Sequence, residues 1–129
     1  MTEQISSEAR ILIVDDLKSA RKVLHRMLEN VGYKYVIDCD LGSEALDIIG
    51  KGSVDLVISD LNLRDTTGTS LFTKILEIAG CEELPFILVT SDRSNDALDD
   101  DITQKMSGFL LKPFNAVELK QRVEAALLR

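Results

Sequence analysis

The sequence contains few of the residues that hold secreted or metal-stabilised domains together. Its two cysteines, Cys39 and Cys81, are too few for a disulfide framework. The single histidine, His25, has no second histidine or cysteine at a spacing suited to shared metal ligation. No apolar run approaches the roughly 18 residues of a membrane span, and residues 1–10 lack the apolar core of a secretory signal. We therefore expect a cytoplasmic protein without a membrane segment.

Length and charge narrow the class of protein further. A chain of 129 residues is the size of one average domain and can bury enough surface to fold without a disulfide or a metal. Its 22 acidic and 15 basic residues give a net charge of −7. An acidic balance disfavours direct binding to nucleic acid or to anionic membranes, because phosphates attract basic surfaces. We expect residues 1–9 to form a flexible N-terminal segment and residues 10–129 to form one domain.

Short apolar runs rich in Val, Ile and Leu predict strands that are buried on both faces, as in a parallel sheet. These runs lie at 11–14, 56–58 and 86–89, with weaker candidates at 35–37 and 109–111. Helical periodicity separates them over 20–31, 45–49, 71–79 and 116–127, with Ser43 and Asn115 as expected caps. A further helix over 95–105 has few core-facing residues and should be weakly anchored. The repeated strand–helix order predicts an α/β fold with three layers, a parallel sheet between helices.

Five polar residues follow or end the predicted strands: Asp15, Asp16, Asp60, Thr90 and Lys112. All should meet at the carboxyl edge of a parallel sheet, where open α/β sheets bind ligands. Three clustered carboxylates must take up protons or hold a cation, and oxygen ligands beside a phosphate favour Mg²⁺. An aspartate can attack phosphorus to form an acyl phosphate, with a lysine and a cation neutralising charge on the phosphoryl oxygens. This pattern therefore predicts phosphoryl transfer to an aspartate.

Four strings around these positions resemble the receiver domain of bacterial response regulators, in its single-domain, CheY-like form. They are ILIVDD at 11–16, VISDLNL at 57–63, LVT at 88–90 and GFLLKPF at 108–114. The four strings occur in the family's order and at similar spacing. The resemblance implies a flavodoxin-like (CheY-like) (βα)5 fold with a five-stranded parallel sheet in the order 2-1-3-4-5. It also implies a part in two-component signal transduction rather than turnover of an external substrate.

The resemblance implies a role for each acid. Asp60 would be the phosphoacceptor, and the donor would be a sensor histidine kinase or a histidine phosphotransfer protein. Asp15, Asp16 and Asp60 would hold Mg²⁺ together with the main-chain carbonyl of Asn62. Lys112 would pair with the phosphoryl oxygens. Catalysis would be confined to the protein's own phosphorylation and dephosphorylation.

The resemblance also implies a conformational switch. Thr90 would move to hydrogen-bond the phosphoryl group, and Phe109 would turn inward as Thr90 moves. The predicted helix over 95–105, the fifth strand and the last helix would form the surface that binds a downstream protein target. We expect a monomer or a weak dimer whose output passes through non-covalent contacts.

Several positions depart from the family's pattern. Arg64 stands where receivers often have proline, which predicts a freer and more basic loop after Asp60. Ser91 replaces a smaller residue, and Lys105 and Met106 replace a small stretch before the fifth strand. The first predicted helix carries a basic cluster, which either is a solvated face or docks an acidic kinase or phosphatase surface. The cluster consists of Lys18, Arg21, Lys22, His25 and Arg26.

Three other functions remain open on the sequence. A metal-dependent phosphohydrolase of the haloacid-dehalogenase type would have Asp-x-Asp after the first strand, but Leu17 and Lys18 follow Asp15 and Asp16 by two positions. A flavin or nucleotide carrier would need a glycine-rich or hydroxyl-rich loop at the same place. A receiver used only for docking would lose phosphorylation, although the acid, threonine and lysine set is intact here.

Overall fold

The computed structural model describes residues 8–91 and 101–128, where five strands and four α-helices alternate. In chain order the elements are β1 (Arg10–Val14), α1 (Lys18–Asn30), β2 (Tyr35–Cys39), α2 (Gly42–Gly50), β3 (Leu56–Asp60), α3 (Gly68–Leu76), β4 (Phe86–Thr90), β5 (Gly108–Leu111) and α4 (Ala116–Leu127). A short 3-10 helix, Thr103–Lys105, precedes β5. None of the described helices is long and apolar enough to cross a membrane.

The five strands form one parallel sheet in the order β2-β1-β3-β4-β5, which confirms the predicted flavodoxin-like topology. The apolar runs of β1, β3 and β4 occupy the three central positions, and nearly all of their residues are buried. β2 lies at an edge and buries only Val36 and Cys39. An edge strand is more exposed to solvent than a central strand, so its run of apolar residues is less continuous.

Alternating residues of the central strands divide the apolar core into two layers. Ile11, Ile13 and Ile58 face a core that α1 and α4 complete, with Leu28 and Val123 as fully buried contributors. Leu12, Val14, Val57 and Leu88 face the opposite core, which α2 and α3 complete. In that second core the rings of Phe72 and Phe86 lie 5.0 Å apart and tilted. The predicted three layers are therefore present.

The two predicted helix caps have different outcomes. Asn115 Oδ1 accepts a hydrogen bond from the Glu118 N–H at 2.8 Å, and Glu118 Oε1 accepts one from the Asn115 N–H at 3.1 Å. This reciprocal pair is a capping box at the start of α4, which confirms the predicted cap at Asn115. The prediction for Ser43 is wrong, because α2 starts at Gly42 and its N-cap residue, Leu41, makes no side-chain cap.

Two sequence predictions fall largely on residues outside those described. Residues 1–7 of the expected flexible segment are not described, whereas Ala9 is buried against the layer of α1 and α4. Residues 95–100 of the predicted helix over 95–105 are also outside the described ranges. The described remainder forms the 3-10 helix Thr103–Lys105, and Met106 is buried in the layer of α2 and α3.

Candidate functional site

Three carboxylates meet at the carboxyl edge of the sheet. Asp15 and Asp16 directly follow β1, and Asp60 is the last residue of β3, the strand beside it. One oxygen from each carboxylate lies within 4.8 Å of the others. Asp15 is buried, and one of its oxygens accepts a hydrogen bond from the Leu17 N–H at 2.9 Å. The parallel pairing of β1 and β3 thus builds the acidic cluster that the strand ends predicted.

Lys112 supplies the positive charge next to this cluster. It directly follows β5, and its Nζ lies 3.6 Å from Asp15 Oδ2 and 3.5 Å from Asp60 Oδ1. Burial raises the pKa of Asp60 above its ordinary value, Asp15 raises it further, and Lys112 opposes both effects. One ammonium group cannot neutralise three carboxylates, so the site keeps an excess of negative charge.

The donors at this site suit a hard divalent cation. Carboxylate oxygens are the ligands that Mg²⁺ prefers, and a cation would relieve the repulsion between the acids. Asn62 lies two residues beyond Asp60, where it forms an isolated antiparallel bridge with Thr67. The two hydrogen bonds of that bridge run from Leu63 N to Thr66 O and from Gly68 N to Leu61 O. The bridge therefore does not use the carbonyl of Asn62.

Thr90 lies between the strand of Asp60 and the strand that leads to Lys112. It ends β4 and is buried, and its carbonyl accepts a hydrogen bond from the Lys112 N–H at 2.9 Å. Val89, one residue earlier, pairs with Asp60 and accepts from the Leu61 N–H at 2.9 Å. Phe109 is half-buried in β5 opposite Leu88. The sheet ladder thus places Thr90 next to both Asp60 and Lys112.

The loop between β3 and α3 contacts the β2–α2 loop and the start of α2. Arg64 Nη1 lies 3.2 Å from Asp40 Oδ2, so the arginine that replaces the common proline pairs with the β2–α2 loop. Asp65 accepts hydrogen bonds from the N–H groups of Gly42 and Ser43 at 2.8 and 3.1 Å. These contacts come from neighbouring segments and are not visible in the local sequence, and the freer loop stays a prediction.

Arg21 is a contributor that the sequence did not separate from the basic cluster of α1. Its side chain is only 16% exposed, its Nη1 donates to the Asp15 carbonyl at 2.8 Å, and its Nε lies 3.8 Å from Asp38 Oδ1. His25 is also engaged, with Nδ1 3.5 Å from Glu29 and Nε2 3.1 Å from the Val36 carbonyl. The exposed part of the cluster is Lys18, Lys22 and Arg26.

A cleft of about 560 Å³ opens between α1 and the loop that joins β5 to α4. Asp15, Asp60 and Lys112 line it, together with apolar side chains that include Val23 and Phe114. The sequence placed Val23 on the buried stripe of α1, but its side chain is 57% exposed because it borders this cleft. Two acids and the lysine of the site thus form part of the wall of this cleft.

An open parallel α/β sheet with acids, a threonine and a lysine at its carboxyl edge defines a signalling domain of the receiver class. The chain matches the response regulator receiver domain family over residues 11–124, and it belongs to that family. Receiver domains are signalling modules of two-component systems, and they interact with histidine kinases and downstream targets.

Known relatives agree with this assignment. The chain is 29% identical to the chemotaxis protein CheY of Pseudomonas aeruginosa over 115 residues, which covers 89% of this chain and 93% of the relative. The structure of the response regulator CheY4 of Vibrio cholerae superimposes with a TM-score of 0.83 at 28% identity, covering 92% of this chain and 98% of the other. The response regulator TrrA of Thermotoga maritima, solved in complex with Mg²⁺-BeF, gives a TM-score of 0.79 at 29% identity, covering 90% and 96%.

Proposed function

We propose that Asp60 is the phosphoacceptor of this receiver. The observation that carries the proposal is the meeting of three carboxylates within 4.8 Å beside the ammonium group of Lys112, which lies 3.5 Å from Asp60. An oxygen of Asp60 attacks the phosphorus of a phosphohistidine, the bond from phosphorus to the imidazole nitrogen breaks, and an acyl phosphate forms. The donor is a sensor histidine kinase or a histidine phosphotransfer protein. Hydrolysis of the same acyl phosphate by water ends the signal.

The acids that do not react hold the cofactor in this proposal. Asp15, Asp16, Asp60 and the main-chain carbonyl of Asn62 are the ligands, and Mg²⁺ neutralises charge on the phosphoryl oxygens when it is bound. Support comes from the all-oxygen donor set and from the related TrrA, which is 29% identical and was solved with Mg²⁺-BeF. Arg21 holds the carbonyl of Asp15 and so fixes the loop that carries two of the acids.

Lys112 and Thr90 stabilise the phosphorylated state of the domain. Once Asp60 carries a phosphoryl group, the Lys112 ammonium pairs with a phosphoryl oxygen instead of the Asp60 carboxylate, and the Thr90 hydroxyl donates a hydrogen bond to another. These contacts exist in only one arrangement of the Thr90 and Lys112 side chains, so they bias a two-state equilibrium. A bias of about 1.4 kcal/mol changes the population ratio tenfold. Phe109 responds to the movement of Thr90 and alters the surface around β5 and α4 that a downstream protein binds.

The phosphodonor approaches through the cleft along α1. Asp15 and Asp60 line that cleft, and the exposed cations Lys18, Lys22 and Arg26 lie on α1, which borders it. Opposite charges on the two partners would speed their encounter, so an acidic donor surface fits this side. We further propose that the domain works in the cytoplasm as a monomer or weak dimer and does not bind nucleic acid directly.

The test is phosphorylation by a small donor without any kinase. The protein is incubated with acetyl phosphate and Mg²⁺, and its intact mass is measured by mass spectrometry. Wild type should gain one phosphoryl group, the gain should disappear with EDTA, and Asp60→Asn should gain none. Asp55→Asn is a matched control. Asp55 is an exposed aspartate at the amino ends of the strands, away from the acidic cluster, where it accepts a hydrogen bond from the Arg10 N–H. An unmodified wild type, or equal modification of Asp60→Asn, would refute the proposal.

A further inference from the structure

We infer that Asp65 is a positioning residue for the cation site, because it clamps the loop that carries Asn62 to the start of α2. The inference rests on the proposed function, since it concerns the same site. Asp65 is not one of the three acids of the cluster. It acts through the backbone of the loop over residues 61–67, which we call the acceptor loop.

The acceptor loop is folded tightly on itself. The bridge between Asn62 and Thr67 closes it, with Leu63 N 3.0 Å from Thr66 O. At its far end Gly68 packs directly on the end of β3, where an added Cβ would lie 2.5 Å from the Asp60 carbonyl oxygen. The loop is therefore a small rigid unit whose position as a whole decides where the Asn62 carbonyl lies.

The carboxylate of Asp65 links this unit to α2. It accepts hydrogen bonds from the N–H groups of Gly42 and Ser43 at 2.8 and 3.1 Å, the first two residues of the helix. These are two of the helix's unpaired N-terminal donors, which α2 cannot satisfy from its own N-cap residue, Leu41. A carboxylate at this place is also favoured by the helix dipole. Asp65 thus performs for α2 the capping that the local sequence does not supply.

The surrounding contacts fit a clamp. Gly42 lacks a side chain where one would collide, since an added Cβ would lie 2.5 Å from Thr66 Cγ2 of the acceptor loop. Arg64 adds a second link through its 3.2 Å ion pair with Asp40, just before α2. The two links tie the acceptor loop to the start of α2 and to the loop before it, and the Cys39 carbonyl beside Asp40 accepts from the Asp15 N–H at 3.2 Å. The clamp therefore joins the Asn62 side of the site to the Asp15 side.

The consequence is a change in apparent cation affinity. If the acceptor loop leaves its position for part of the time, the apparent dissociation constant rises in inverse proportion to the competent fraction. Loss of one helix-cap interaction changes the ratio of correctly placed to displaced acceptor loop by about fivefold. Because the competent fraction changes by at most the same factor as this ratio, Asp65→Ala should weaken Mg²⁺ binding by up to about fivefold, although Asp65 is not one of the proposed ligands.

The experiment is a Mg²⁺ titration of the ¹⁵N-labelled protein, in which binding is monitored by backbone amide chemical shifts. Wild type, Asp65→Ala, Asp65→Asn and the control Asp55→Ala are compared. Asp65→Ala should bind more weakly by up to about fivefold, and Asp65→Asn, which keeps one acceptor oxygen, should fall between it and wild type. In metal-free protein the amides of Gly42 and Ser43 should exchange faster in Asp65→Ala. Asp55→Ala loses a single exposed hydrogen bond far from the site and should bind Mg²⁺ as wild type does.

The outcomes separate the inference from the function on which it rests. Wild-type affinity in Asp65→Ala would overturn the inference and leave the proposed function standing. Equal weakening in Asp55→Ala would also overturn it, because the effect would then follow general stability. A wild type that binds no Mg²⁺ would refute the cation site itself, and the inference with it.

Discussion

Gly68 is the position where the smallest substitution should disturb the fold and the site together. It is buried at the start of α3, and an added Cβ would lie 2.5 Å from the Asp60 carbonyl oxygen and 2.6 Å from Leu88 Cδ1. Leu88 can rotate, but the carbonyl oxygen belongs to the last residue of β3, so relief requires the backbone to move. Overpacking of this kind costs about 1–3 kcal/mol. We predict that Gly68→Ala loses about 2–3 kcal/mol of unfolding free energy, a large share of the roughly 5–15 kcal/mol of a typical domain.

The same backbone movement should also slow phosphorylation of Asp60. The domain should stay folded, because the predicted loss is smaller than its total stability. Its phosphorylation by acetyl phosphate should slow, because the atom that must move belongs to Asp60. Gly50→Ala is the matched control, because Gly50 ends α2 and an added Cβ there meets nothing within 4 Å. That variant should be neutral or gain up to about 1 kcal/mol from helix propensity.

Urea denaturation followed by far-ultraviolet circular dichroism measures both variants. A lower midpoint at unchanged slope identifies a change in stability rather than in the unfolded state. Wild-type stability in Gly68→Ala would refute the close approach of α3 to the end of β3. Equal destabilisation by Gly50→Ala would show that the contact with Asp60 is not the cause.

Three further predictions concern stability. Asn115→Ala removes the capping box of α4 and should cost about 1 kcal/mol in urea denaturation; no loss would contradict the capping role. Phe86→Ala empties a fully buried site beside Phe72 and should cost about 3–5 kcal/mol by thermal unfolding, whereas a cost below about 1 kcal/mol would contradict the packing. The hydrogen bonds from Gly42 and Ser43 lower the pKa of Asp65 below its ordinary value of 3.8. The stabilisation from these hydrogen bonds is complete above that value and is lost as the pH falls through the lowered pKa. The difference in unfolding free energy between wild type and Asp65→Asn, measured by urea titration, should therefore shrink below about pH 4. A difference that grows below about pH 4 would contradict the predicted direction.

The sheet and the acidic cluster were predictable because they follow from chain-local patterns. Uninterrupted apolar runs identify strands buried on both faces, and parallel strands bring their carboxyl ends to one edge. Asp15, Asp60 and Lys112 each stand next to such a run, so their meeting needed no knowledge of side-chain packing. The cap of α4 was predictable for the same reason, since Asn115 and Glu118 are three residues apart.

The features that the sequence did not predict depend on contacts between distant segments. Asp65 caps α2 from more than 20 residues away, and no pattern near Ser43 reveals it. In the sequence Arg21 is one basic residue among several on α1. Only its hydrogen bond to the Asp15 carbonyl distinguishes it from its exposed neighbours. Val23 fits the apolar stripe of α1, yet the cleft beside the site leaves it exposed. In each case the deciding partner lies on another element.

The central claim is that Asp60, and neither of its acidic neighbours, receives the phosphoryl group. Wild type treated with acetyl phosphate and Mg²⁺ can be digested, and the modified peptide located by tandem mass spectrometry. Because Asp15 and Asp16 lie in a different part of the chain, the peptides distinguish the two sets of acids. We predict the phosphoryl group on the peptide that contains Asp60 and none on the peptide that contains Asp15 and Asp16. A phosphoryl group on the peptide of Asp15 and Asp16, or on no peptide, would contradict the account.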